Sequence, residues 1–130
     1  MPLRIDHNKF LKTYESLAQV LTDKKLAALG DAYVNFVYSL AMSKKLGKPF
    51  GKKMKGVPLA TAFRKADLRK MLPSRIDKHD ISDAAEALLV YGWLKQTVTL
   101  EETVEKLEKC DNLEIALTQL LRKTAEQIRF

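Results

Sequence analysis

The sequence predicts an all-α domain, and three observations carry that reading. Two long stretches, 26–42 and 81–94, are apolar almost all the way round a helix. Capping signals precede segments whose leucines recur every three or four residues. Glycine and proline are few, five and four in 130 residues, and no run alternates apolar and polar residues as a half-buried strand would. At this length, with 46% hydrophobic and 30% charged residues, the chain reads as a single domain over residues 1–130, large enough for a real core.

Taken in order, residues 7–21 place Phe10, Tyr14, Leu17 and Leu21 at helical spacing behind Asp6 or Asn8 as a cap, which predicts a first amphipathic helix. Thr22 and Asp23 can cap a second helix that runs to about Leu46 and breaks at Gly47 and Pro49. In it Asp31, Asn35 and either Tyr38 or Ser39 form a narrow polar stripe, while Leu26, Leu29, Tyr33, Val34, Phe36, Val37 and Leu40 cover the remainder. Such a helix is expected to be largely buried. An ionised carboxylate within it is costly unless paired, hydrogen-bonded or bound to a cation. Gly30 costs about 1 kcal/mol against alanine, which close approach of another helix would explain and a tolerated imperfection would explain equally.

The next stretch, 47–58, holds three glycines, two prolines and four lysines and reads as a loop. Residues 59–71 then read as a helix ended by Pro73, with Arg64, Lys65, Arg69 and Lys70 interleaved among Phe63, Leu68 and Leu72. Asp80 is the expected cap of the following helix, which contains Asp83 and Glu86. Thr99 with Glu102, and Asp111 or Asn112 ahead of Glu114, open two final helices whose Leu107, Leu113, Leu117, Leu120 and Leu121 supply a packing face.

The net charge of +7 is unevenly placed. Between Lys44 and Lys78 stand twelve Lys and Arg against Asp67 and Asp77, a net +10, and the remaining 11 basic and 14 acidic residues leave −3. A chain so polarised fits a polyanionic partner, nucleic acid being the commonest; a solvated lysine-rich loop kept for solubility is the alternative. Cys110 alone cannot form an internal disulfide or a cysteine-rich zinc site, which suits a reducing, cytoplasmic setting. The amino terminus has no apolar signal core. The run 26–42 falls short of the ~20 residues of a membrane span and carries a central Asp, so no membrane association is expected.

Asp83 and Glu86, three apart, project from one helix face. Two mostly buried helices thus each carry acids with no cationic neighbour in their own turn. Packed together, three such carboxylates would repel one another unless a divalent cation joined them, and all-oxygen ligation favours Mg2+ or Mn2+. Each acid also has a plainer reading. Asp83 could be a residue near a helix start favoured by the dipole, and Asp31 and Glu86 could be satisfied by an Arg or lie on exposed seams. Beside a +10 segment, an acidic metal centre has the logic of a nuclease: the cation supplies a nucleophilic water while Lys and Arg hold the phosphate backbone. His7 and His79 read as surface or capping residues, and Cys110, Tyr91 and Trp93 as packing residues.

Leu29-Gly30-Asp31-Ala32 ahead of an apolar helix resembles the first signature of the ribonuclease III family, and Asp83-Ala-Ala-Glu86-Ala-Leu-Leu resembles the second. The pair, in this order and about fifty residues apart, resembles most the short stand-alone forms, archaeal ribonuclease III-like and mini-ribonuclease III, that lack a double-stranded RNA-binding domain. Ala27 and Lys24 stand where the longer enzymes have glutamates, so one of their metal-site carboxylates is missing; short members also resemble Ala27 there. The resemblance implies a homodimeric helical endoribonuclease, with the signature helix near the two-fold axis. It would cut double-stranded or structured RNA to leave a 5′-phosphate and a 3′-hydroxyl. Asp31, Glu86 and Asp83 would be its catalytic metal ligands, Asp83 directly or through water, with Asn35 supporting them. Lys52, Lys53, Lys55, Arg64, Lys65, Arg69 and Lys70 would supply the RNA contacts. The competing readings are a nuclease-inactive RNA-binding protein on the same fold and a helical dimerisation module.

Overall fold

In a computed structural model, residues 9–130 are described, so the expected caps Asp6 and Asn8, like His7, lie outside them. The described chain is all-helical: α1 Leu17–Leu21, α2 Lys24–Leu46, α3 Gly56–Lys65, a 3-10 turn Arg69–Met71, α4 Lys78–Leu94, α5 Leu100–Lys109 and α6 Leu113–Gln127. The centre is α4. Twelve of its 17 residues are buried, and α1, α2, α3 and α6 all pack on it. The expectation for α2 is corrected: its buried residues Leu26, Ala27, Gly30, Tyr33, Val34, Val37 and Ala41 follow one stripe, while Leu29 and Phe36 are 40% and 56% exposed.

Local chemistry explains most boundaries. Asp23 caps α2 by accepting from the backbone N–H groups of Lys25 and Leu26, and the Tyr14 hydroxyl donates to the same carboxylate at 2.6 Å. Gly47 ends α2 in the left-handed region at φ 70°, where a side chain would be strained. Reciprocal capping boxes open α4 (Asp77 with Asp80) and α5 (Thr99 with Glu102), and Asn112 caps α6.

Three expected boundaries are revised. The first helix is only five residues long, because Ser16 caps it and the chain before it runs irregularly so that the Tyr14 ring can meet Tyr91 edge-on at 5.3 Å. The helix expected over 59–71 starts at Gly56 and stops at Lys65. There Asp67 turns to φ 63°, a conformation that Asp tolerates, and the tighter path buries Leu68 and Leu72. The cap of α4 is Asp77 rather than Asp80, which serves instead as the third residue of its capping box.

Helix α2 crosses α4 at Gly30. A Cβ built there would lie 2.2 Å from the carbonyl oxygen of Glu86 and 2.5 Å from its carbonyl carbon. Because the obstacle is backbone, it cannot swing aside as a side chain would. Gly30→Ala is therefore expected to force the two helices apart and lower the unfolding free energy by at least about 2 kcal/mol. A denaturant melt checks this, and a variant as stable as the parent would show that the helices do not touch at this point.

Candidate metal and RNA site

The crossing at Gly30 determines what lies beside it. Asp31, the next residue on α2, and Glu86 on α4 both face a cleft of about 510 Å³ lined also by Lys24, Ala27, Lys53, Met54, His79 and Asp83. Glu86 is only 7% exposed, whereas the Asp31 side chain is 45% exposed. Burial, followed by the hydrogen bond and charge of Asp31 and the charge of Asp83, pushes the Glu86 carboxyl up to about 8. Two carboxyl groups thus meet across the helix crossing, and at neutral pH that of Glu86 keeps a proton that a cation could replace.

The acids do have basic partners, contrary to what the isolated helices suggested. Lys24, the first residue of α2, is hydrogen-bonded to Asp80 and lies 3.0 Å from Asp83, so its ammonium bridges two acids of α4. These contacts, the one to Asp80 foremost, hold Lys24 above its ordinary range and Asp80 below its own. The Lys53 ammonium lies 3.9 Å from Asp31. Among the described residues no three His, Cys, Asp or Glu side chains gather closely enough to hold a metal ion, and Asp83 pairs with Lys24. The donor set that remains, one buried and one half-exposed carboxylate, still fits Mg2+ or Mn2+. Such ions keep several waters and commonly take only one or two protein carboxylates plus substrate oxygens.

Asn35 joins Asp31 to the loop above it. Its amide nitrogen lies 3.4 Å from Asp31 Oδ1, and its Oδ1 accepts from the Met54 backbone N–H at 2.8 Å. The polar stripe of α2 continues through Ser39, not Tyr38, to Ser43.

The family model for ribonuclease III matches residues 24–129, all but the first turns of the described fold. The chain belongs to the ribonuclease III family. No curated protein matches it. Ribonuclease III enzymes are endoribonucleases of double-stranded RNA that typically use Mg2+, and Asp31, Asp83 and Glu86 lie in the two segments that resemble the family's signatures.

Of the basic residues expected to meet RNA, Lys52, Lys53, Lys55, Arg64, Lys65 and Lys70 are exposed and Arg69 is half-buried. Several also have partners in the fold: Lys53 lies 3.9 Å from Asp31, Lys65 pairs with Glu114 at 3.3 Å, Lys70 with Asp67 at 2.9 Å, and the Arg69 guanidinium binds the carbonyls of Pro73 and Ser74, each at 3.0 Å. Lys24, read from the sequence only as a departure from the family pattern, and His79, read as a surface or capping residue, both line the cleft. Their signal lay in the spacing, since Lys24 shares a face with Asp31 two turns later, as His79 does with Asp83 and Glu86. No described helix is long and apolar enough to cross a membrane. A larger groove of about 640 Å³ between α5 and α6 shares no residue with the acidic cleft.

The raised Glu86 carboxyl has a signed consequence for stability. In the fold it keeps its proton up to about pH 8, whereas unfolded it ionises near 4.5, so between these values the unfolded chain binds fewer protons. Stability in metal-free buffer should fall as pH rises through that window. Glu86→Gln removes the penalty, and its melting temperature relative to the parent should climb by several degrees between pH 5 and pH 8. Parallel profiles for the two proteins would show that Glu86 titrates normally.

Proposed function

We propose that the protein is a metal-dependent endoribonuclease that hydrolyses phosphodiesters in double-stranded or structured RNA, leaving 5′-phosphate and 3′-hydroxyl ends. The observation that carries this reading is the meeting of the Asp31 and Glu86 carboxyl groups in a cleft that the exposed Lys53 also lines. A bound Mg2+ would supply a polarised water and neutralise charge on the scissile phosphate. Asp31 and Glu86 would hold the ion, Glu86 giving up the proton that it otherwise keeps, and Asp83 would contribute directly or through water. Asn35 fixes the rotamer of Asp31, while Lys52, Lys53 and Lys55 hold flanking phosphates and Arg64 extends that contact along α3. Within residues 24–129, the span of the family match, these exposed basic side chains are the RNA contacts the proposal assigns. An A-form duplex is favoured over duplex DNA because its wide minor groove displays 2′-hydroxyls to such a surface.

The active form in this proposal is a homodimer. Leu29, Ala32 and Phe36 are exposed at helical spacing on α2, an apolar face that a second copy would cover about a two-fold axis. One site per subunit would then address each strand. Phe36→Glu is expected to give a monomer by sedimentation at micromolar concentration.

Incubating the purified protein with an end-labelled RNA duplex in Mg2+ and in chelator tests the activity. Cleavage is expected only with the metal. Glu86→Gln keeps the side-chain volume and removes the charge that a hard cation needs, so it should lower cleavage by at least about 100-fold with duplex binding within a few-fold. Cleavage at the parental rate would remove Glu86 from the metal site. Binding without any Mg2+-dependent cleavage would identify the nuclease-inactive alternative.

A further inference from the structure

Residues 48–55 have no regular secondary structure, yet their backbone is tied to α2 at every second residue. Ser43 Oγ accepts from the Phe50 N–H at 2.9 Å and lies 3.0 Å from the Phe50 carbonyl oxygen. Ser39 Oγ accepts from the Lys52 N–H and donates to the Lys52 carbonyl, both at 2.9 Å. Asn35 Oδ1 accepts from the Met54 N–H at 2.8 Å. Positions 43, 39 and 35 therefore pair in order with 50, 52 and 54, the segment running antiparallel to the helix. Four residues of helix rise about 6 Å and two residues of extended chain about 6.6 Å, so the two repeats stay in step over three rungs.

Continued by one rung, this register would set Asp31 opposite Gly56. There α3 begins, and the segment leaves the stripe. Asp31 is the fourth member of the polar series 31, 35, 39, 43, and it has no backbone partner from the segment; it faces the cleft instead. The same register sends the exposed side chain of Lys53 back to Asp31.

We propose that Ser43, Ser39 and Asn35 are positioning residues: they fasten residues 50–54 as a pre-ordered basic strap whose lysines meet RNA phosphates at the open end of the stripe. This rests on the ribonuclease reading above and adds the device that sets affinity within it. A strap already ordered loses little conformational freedom on binding, whereas the same lysines on a loose loop would have to be ordered by the RNA. Lys52 and Lys53, held in one register, also contact the duplex together, so the strap should contribute more than one phosphate to the salt dependence of binding.

The double variant Ser39→Ala/Ser43→Ala tests this without touching any acid of the cleft. Hydrogen exchange at the Phe50 and Lys52 amides is expected to speed up by roughly tenfold or more, with α2 and α4 amides unchanged. On one RNA duplex, affinity should fall about 5- to 20-fold and the slope of log affinity against log salt should become shallower by roughly one phosphate equivalent. In Mg2+ the KM should rise by a similar factor while kcat stays within about twofold. Unchanged amide exchange would overturn the proposal, since the hydroxyls would then not be what holds the strap. Faster exchange with parental affinity and salt slope would overturn it too, because strap order would not matter to RNA. If the parent itself failed to bind duplex RNA, the ribonuclease reading would fall and this inference with it, an outcome distinct from parental binding by both proteins.

Discussion

Backbone contact between Gly30 and the carbonyl of Glu86 is the constraint on which the site depends. A helix pair separated by even one methyl group would hold the next side chains further apart. With no side chain at the crossing, Asp31 follows it directly on α2, and the residue that it meets is the one whose carbonyl makes the contact. The carboxyl of Glu86 is then trapped between a low-dielectric core and a neighbouring acid, and both raise its affinity for a proton. Packing and electrostatics are therefore one device here. The close approach of α2 to α4 at Gly30 sets Asp31 beside the buried carboxyl of Glu86, whose affinity for a proton is raised there.

Around that pair the charges are graded. Lys24 spans Asp80 and Asp83 at one end of the cleft and neutralises the acids that the helix start would otherwise leave facing the site. Lys53 leans toward Asp31 from the strap at the other end. Both lysines are more than half exposed, so neither pair adds much to stability. Their effect is to shape the local potential: an acidic centre with cations at its edges suits a bridged metal ion and a polyanion lying across it.

What the sequence disclosed divides by whether the interaction is local. The Asp23 cap, the Thr99 and Glu102 capping box and the Gly47 stop are made within a few residues, and their signals were legible. The five-residue α1 was not, because Ser16 captured the helix start and Tyr14 was drawn to Asp23 and Tyr91, a preference set by tertiary contact. Exposure of Leu29 and Phe36 was hidden too, since a helix apolar all round gives no hint of which side the core will take. The polar stripe of α2 was visible as a period, but its partner was not. Backbone N–H and carbonyl groups of residues 50–54 accept any side chain at those positions, so the strap left no mark in its own sequence. Lys24 was recognised as a departure from the family pattern, and only the packing of α2 on α4 revealed Asp80 and Asp83 as its partners.

The central claim is that burial beside Asp31 keeps a proton on the Glu86 carboxyl, which a divalent cation would displace. Carbon-detected NMR of the Glu86 side-chain carboxyl, titrated in metal-free buffer, measures it most directly. The account predicts a midpoint near 8, moving toward the ordinary value of 4.5 in Asp31→Asn and in the parent with saturating Mg2+. A midpoint near 4.5 in the metal-free parent would contradict it.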